Sequence, residues 1–259
     1  MRRRKALCWR CRDHRARGAA IAITTAIGCG ALAFTTSPSA AVTIGATGGN
    51  GSAECPPDYT WAQDSTAVGS PTYAVPAGGG VITSWSHDRG PALATARLRL
   101  KVFRKTGAPN NYLTVGESDF ETLAAMGVNT FATRVPVEGG DILGFRITTD
   151  PVSCRRSGST GDKAVASGAL QPDPPIGSPV AFGEVGAYLL NLAATVEPDA
   201  DHDGFGDETQ DQCPTNAGTQ GACPVSPIAS DTNEKKCKKK KKRHSAETAK
   251  KKCKKKKRK

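Results

Sequence analysis

The chain of 259 residues predicts an all-β fold: an antiparallel β-sandwich of the jelly-roll kind, followed by a short irregular loop and a disordered Lys-rich tail. Three observations carry this expectation. Between residues 53 and 197, short β-branched or alternating runs are separated by clusters of Gly, Pro, Asn and Asp. A glycine-turn segment occurs twice in that region, at residues 75–82 and 135–142. Helical spacing is confined to residues 118–126, enough for only about two turns.

The predicted strands are residues 81–86, 97–103, 112–115, 130–135, 142–148 and 188–196, with weaker candidates at 72–75 and 163–166. In 97–103, Leu98, Leu100 and Val102 alternate with Arg97, Arg99, Lys101 and Phe103, so one face of this strand is expected to be wet. The segment Val75-Pro-Ala-Gly-Gly-Gly-Val-Ile82 is echoed by Val135-Pro-Val-Glu-Gly-Gly-Asp-Ile142. Each copy ends one strand, turns on glycines and starts another. About eight strands in two related halves suit a jelly roll. An immunoglobulin-like sandwich is the runner-up, but Cys55 and Cys154 are too far apart for its inter-sheet disulfide. Residues 135–144 also resemble the Gly-Asp lead-in to a strand of carbohydrate-binding jelly rolls. The main domain is therefore placed at 53–197, long enough for a real core, with 42–52 and 225–234 as linkers.

Ahead of that domain, residues 1–18 carry eight basic side chains against the single acid Asp13, and residues 19–34 are uncharged and mostly small or apolar. Ser39-Ala40-Ala41 offers small residues for cleavage before Val42. Basic, apolar, small is the order of a secretory signal peptide, so residues 1–41 are read as a leader and the protein as secreted or extracellular. The apolar stretch is short for a bilayer core about 30 Å thick. Cys8, Cys11 and Cys29 leave with the leader, and Cys55, Cys154, Cys213, Cys223, Cys237 and Cys253 remain. Six cysteines allow 15 pairings; their positions favour the sequential one, 55 with 154, 213 with 223 and 237 with 253.

Residues 199–214 read Asp-Ala-Asp-His-Asp-Gly-Phe-Gly-Asp-Glu-Thr-Gln-Asp-Gln-Cys-Pro. Acids at every second position around a glycine turn supply the carboxylate and main-chain oxygens that a hard cation requires, and calcium fits best. Asp199, Asp201 and Asp203 stand at loop positions 1, 3 and 5, Gly204 at the sharp turn, Phe205 where a main-chain oxygen serves, and Asp207 at position 9. An EF-hand requires Glu at position 12 and helices on both sides. Here Gln210 stands in that position, with Pro198 and Pro214 on the flanks.

The stretch resembles the thrombospondin type 3 repeat, a helix-free loop of the form Asp-x-Asp-x-Asp-Gly-x-Gly-Asp closed by Asp-x-Cys-Pro. Asp199 to Asp207 match its core, and Asp211-Gln212-Cys213-Pro214 match the closing element after one extra residue. The resemblance covers one copy, within residues 198–224, and implies Ca²⁺ held by Asp199, Asp201, Asp203, Phe205, Asp207 and Asp211.

Charge is partitioned along the chain. Residues 42–233 hold 11 basic and 21 acidic side chains, whereas residues 234–259 hold 17 basic and 2 acidic ones. The basic balance thus belongs to the tail, which can bury little apolar surface and repels itself. Its expected partner is an anionic cell-envelope polymer or another polyanion, bound by counterion release and retaining the protein at the cell wall. The lysine runs contain no aromatic residues, so sequence-specific nucleic-acid reading is not expected.

Little of the usual catalytic inventory is present. Ser86-His87-Asp88 has triad letters, but neighbours on a strand point in alternating directions. Glu117 and Asp119 are the acid pair a glycosidase would use, and a secreted glycan-active hydrolase is the alternative to a non-enzymatic reading. Trp61, Tyr73, Trp85 and Tyr112 are residue types that stack on sugars, making a glycan a further expected partner. Together these features predict a calcium-binding adhesion or matrix-binding protein, not an enzyme.

Overall fold

The computed structural model describes residues 40–48, 53–91, 94–124, 126–148, 150–168 and 171–225. The predicted leader through residue 39 and the Lys-rich tail lie outside the described residues, as do Cys8, Cys11, Cys29, Cys237 and Cys253.

Among the described residues fifteen strands follow one another: β1 (Val42–Ala46), β2 (Ala53–Cys55), β3 (Thr60–Ser65), β4 (Gly80–Asp88), β5 (Arg97–Lys105), β6 (Asn111–Glu117), β7 (Glu121–Thr122), β8 (Val128–Val137), β9 (Ile142–Ile147), β10 (Val152–Ser157), β11 (Lys163–Ala166), β12 (Pro179–Ala181), β13 (Gly183–Gly186), β14 (Tyr188–Leu190) and β15 (Leu192–Glu197). All their pairings are antiparallel. One sheet runs β1-β15-β4-β8, and the largest contains β6-β5-β9-β3 at its centre. Ranking those eight strands in chain order gives 1-8-3-6 in one sheet and 5-4-7-2 in the other, the strand order of a jelly roll. A third sheet runs β14-β10-β2.

Side chains from all three sheets meet in one core. It includes Ile82, Trp85 and Val196 from the first sheet, Leu98, Leu100, Leu143 and Phe145 from the second, and Cys55, Cys154 and Leu190 from the third. Cys55 pairs with Cys154 and Cys213 with Cys223, as their positions predict, with Cα separations of 5.6 and 4.8 Å. The two echoed turns lie against one another. Val75 N–H donates to Asp141 O at 2.8 Å, Gly140 N–H donates to Val75 O at 2.9 Å, and Gly80 faces Val137 in the β4–β8 ladder. Gly139 is required by this approach, because a Cβ there would stand 2.9 Å from Ala77 Cα.

The structure corrects several expectations. Val42–Ala46 was assigned to a linker but pairs along its whole length with β15, so the sandwich begins at the predicted cleavage point. Residues 118–126 contain no helix among those described; Glu121–Thr122 instead pair with β5. Residues 72–75 form an isolated bridge, Ala74 to Ile142, instead of a strand. The 188–196 run is divided at Asn191, whose side-chain amide donates to Asp88 O and Ser153 O, both at 2.7 Å. β5 has no fully wet face. Phe103 packs with Tyr112, Ile142, Val165 and Phe182 in a second small core, and Lys101 is buried against Glu117, Asp173 and Pro174 O.

Trp61, Tyr73, Trp85 and Tyr112, the expected sugar-stacking residues, are 3%, 1%, 0% and 1% exposed. Burying such large apolar surface stabilises the sandwich more than displaying it would, so these rings serve the core.

Candidate metal centre

Beyond β15 the chain turns at Pro198 into an irregular loop, described through residue 225. Asp199, Asp201 and Asp203 each offer a carboxylate oxygen, and these oxygens lie within 4.8 Å of one another. Local hydrogen bonds set this spacing. The Asp199 carboxylate accepts from Asp203 N–H at 3.1 Å and Gly204 N–H at 3.0 Å, folding the loop around itself. Asp203 accepts from Phe205 N–H at 2.9 Å and from the Gln220 side chain at 2.8 Å. His202 and Gly204 take positive φ, 60° and 83°, which places the bend where the glycine spacing predicts it.

Asp201 differs from its neighbours. Both its carboxylate oxygens are shielded from solvent, and neither receives a hydrogen bond. Desolvating a carboxylate without a donor or cation is costly, so this residue favours a cation at the cluster. Asp211 is 4% exposed; one oxygen accepts from Cys213 N–H at 2.8 Å and the other is buried without a donor. Asp207 accepts two longer bonds from Ala200 N–H, at 3.3 and 3.2 Å. Burial pushes its carboxyl upward, and the charges of Asp199, Asp201 and Asp211 push it further the same way, outweighing Ala200. Asp207 and Asp211 thus share the electrostatic neighbourhood of the three clustered aspartates. Such an oxygen-rich, anionic donor set fits a hard divalent cation such as Ca²⁺ and offers nothing to a soft one. The Phe205 ring lies under the Arg134 guanidinium, 4.1 Å from Cζ to centroid, and ties the loop to β8.

The loop has a second anchor that the Asp pattern does not reveal. Glu197, only 2% exposed at the end of β15, accepts from Thr83 Oγ1 at 2.8 Å, Glu208 N–H at 3.0 Å, Thr209 N–H at 2.9 Å and Thr209 Oγ1 at 2.7 Å. Burial alone would raise its carboxyl, but these bonds from Thr209, Thr83 and Glu208 hold it below the ordinary glutamate value. Gly206 packs so tightly here that a Cβ would stand 2.5 Å from Glu197 Oε2. Gln210, at the position where an EF-hand has its bidentate Glu, is bound instead to Thr133 O at 2.8 Å and Gly206 N–H at 3.3 Å.

An open cleft of about 670 Å³ lies between this loop and the sandwich, lined by Asp199, His202 and Asp203 and by Arg104, Pro136 and Glu138. The lettered triad does not assemble. Ser86 pairs with Thr130, Asp88 accepts from Gly90 N–H, and the wholly buried His87 packs edge-on against Phe145. Glu117 is engaged by Arg99 and Lys101. Comparison with protein-family models, curated proteins and solved structures gave no match.

Proposed function

We propose that this chain is a secreted or surface-retained calcium-binding β-sandwich protein that serves adhesion or matrix binding and is held to anionic envelope polymers by its Lys-rich tail. The observation that carries the calcium part is the Asp199, Asp201 and Asp203 cluster, with both Asp201 oxygens buried and undonated. Glu197 and Arg134 fix the loop on the sandwich, so a cation there would rigidify a docked segment rather than a free linker. Two cations on Glu117 suit a structural ion-pair cluster and do not suit the protonated general acid of a glycosidase.

The test is a calcium titration of residues 42–259, followed by thermal melting and limited proteolysis of the 198–224 segment. At the affinity of roughly 10⁻⁴–10⁻³ M typical of extracellular modules, millimolar Ca²⁺ adds on the order of 1 kcal/mol. Asp201→Ala with Asp203→Ala should abolish the calcium-dependent protection. An unchanged calcium response in that variant would remove the metal site. The tail is tested separately, by co-sedimentation with isolated envelope across a salt series against a chain ending at Asp231; equal binding by both chains would remove the anchoring role.

A further inference from the structure

We propose a second ligand site, on the pocket around Arg155, that takes a carboxylate-bearing sugar of the uronic acid class. The pocket is an open depression of about 420 Å³, and its lining includes Tyr59, Trp61, Arg155, Ser167 and Glu184. That volume falls within the roughly 300–1,000 Å³ of small-ligand clefts. The Arg155 guanidinium lies over two rings, with Cζ 4.4 Å from the Tyr188 centroid and 5.0 Å from that of Trp61. Its Nε is buried without an acceptor.

Among the described residues, no carboxylate comes within 4.0 Å of Arg155, Arg89, Arg97, Arg134 or Arg156, whereas Arg99, Lys101, Arg104, Lys105, Arg146 and Lys163 each hold one; Arg89 and Arg97 donate instead to main-chain carbonyls. The isolation occurs in a region carrying 21 acids against 11 bases, where a partner would be easy to supply. Even Glu184, which lines the same pocket, is paired elsewhere, with Lys163 at 3.3 Å. The contacts with both rings hold the guanidinium in place, and with Nε buried its Nη groups are the ones left to bond a ligand. Together they match a carboxylate in bidentate fashion.

The remaining lining suits a hydroxylated ring. Tyr59 is half-buried and offers an aromatic wall for the apolar face of a pyranose. Ser167 Oγ accepts from Thr60 N–H at 3.0 Å and keeps its own proton to donate, while Glu184 can accept from sugar hydroxyls. The inference deepens the matrix-binding part of the proposed function and rests on it, but it places that binding away from the aspartate loop.

The experiment is an NMR titration of residues 42–259 with D-glucuronate, D-galacturonate, D-glucose and acetate, following the Trp61 indole and the Arg155 and Tyr188 backbone resonances. The expected result is saturable shifts with a uronate, with D-glucose and acetate at least about tenfold weaker, and the same shifts when calcium is chelated. Arg155→Gln should weaken uronate binding about tenfold or more, the loss expected for a charged hydrogen-bonding partner. Tyr59→Ala supplies a second variant, with weaker uronate binding and an intact fold. Equal binding of D-glucose, equal binding of acetate, or uronate binding unchanged in both variants would overturn the proposal. No uronate binding by a protein that still takes up calcium and co-sediments with envelope would overturn this inference alone and leave the proposed function standing.

Discussion

His87 makes the sandwich acid-sensitive in a pH range where its carboxylates remain charged. It lies on β4 with no exposed surface, packed against Phe145 at 6.0 Å between centroids, and neither ring nitrogen has a hydrogen-bond partner of normal geometry. Burial lowers its pKa from the ordinary 6.5 to about 4, against weaker upward pulls from the Asn191 backbone and Asp88. Between these values the unfolded chain binds a proton that the folded chain refuses. The His87 contribution is therefore complete above pH 6.5 and is lost as pH falls toward 4. The full shift corresponds to about 3 kcal/mol, of which roughly 2 kcal/mol is lost between pH 7.5 and pH 5. Urea unfolding at half-unit pH steps measures this, with His87→Leu as the control that keeps an apolar filling. The wild type should lose stability steadily from pH 6.5 downward, and the variant should be nearly flat to pH 5. Parallel slopes in the two proteins would refute the assignment. The hydrogen-bonded carboxyls of Asp64 and Asp162 are held low despite their burial, so their loss begins only at more acidic pH.

Other perturbations follow from single contacts. Asp141→Ala, at a 1% exposed position that accepts from Arg104 Nε at 2.8 Å and Nη2 at 3.0 Å and from Glu138 N–H at 2.8 Å, should cost about 2–4 kcal/mol in urea unfolding. Asn191→Ala removes the amide that bonds Asp88 O, Ser153 O and Gly48 N–H, and should cost about 2–3 kcal/mol by the same assay. Gly206→Ala should push Glu197 from its clamp, exposing residues 198–224 to protease while the sandwich keeps most of its melting temperature. Replacing both Cys55 and Cys154 by Ala opens a link spanning 99 residues and should cost about 4–5 kcal/mol, against about 3 kcal/mol for the 10-residue link of Cys213 and Cys223. Denaturant midpoints of the two variants rank them, and a larger loss for the short link would contradict the chain-entropy account.

Locally patterned features were legible in the sequence, and those that depend on remote partners were not. The alternation in β4, β5 and β6 and the β-branched runs between turn residues show where strands run, because side-chain direction repeats every two residues whatever the partner. The spacing of Asp199, Asp201 and Asp203 was enough to bring them together, since a turn held by neighbouring N–H groups needs no distant contact. β3 is not legible in the sequence because Gln63 and Asp64 break its apolar run. Gln63 is nonetheless buried, since its amide reaches Lys163 O and Tyr188 O and accepts from Leu190 N–H, partners 100 or more residues away. The same dependence explains the aromatic residues, whose letters are alike in a core and in a sugar site. It also explains Glu197, whose role as a clamp exists only when β4 and the 206–209 turn converge on it. Sequence determined periodicity and local turns because these are set by adjacent peptide units. Tertiary structure decided which polar and aromatic groups are covered, because burial depends on chain segments that only folding brings together.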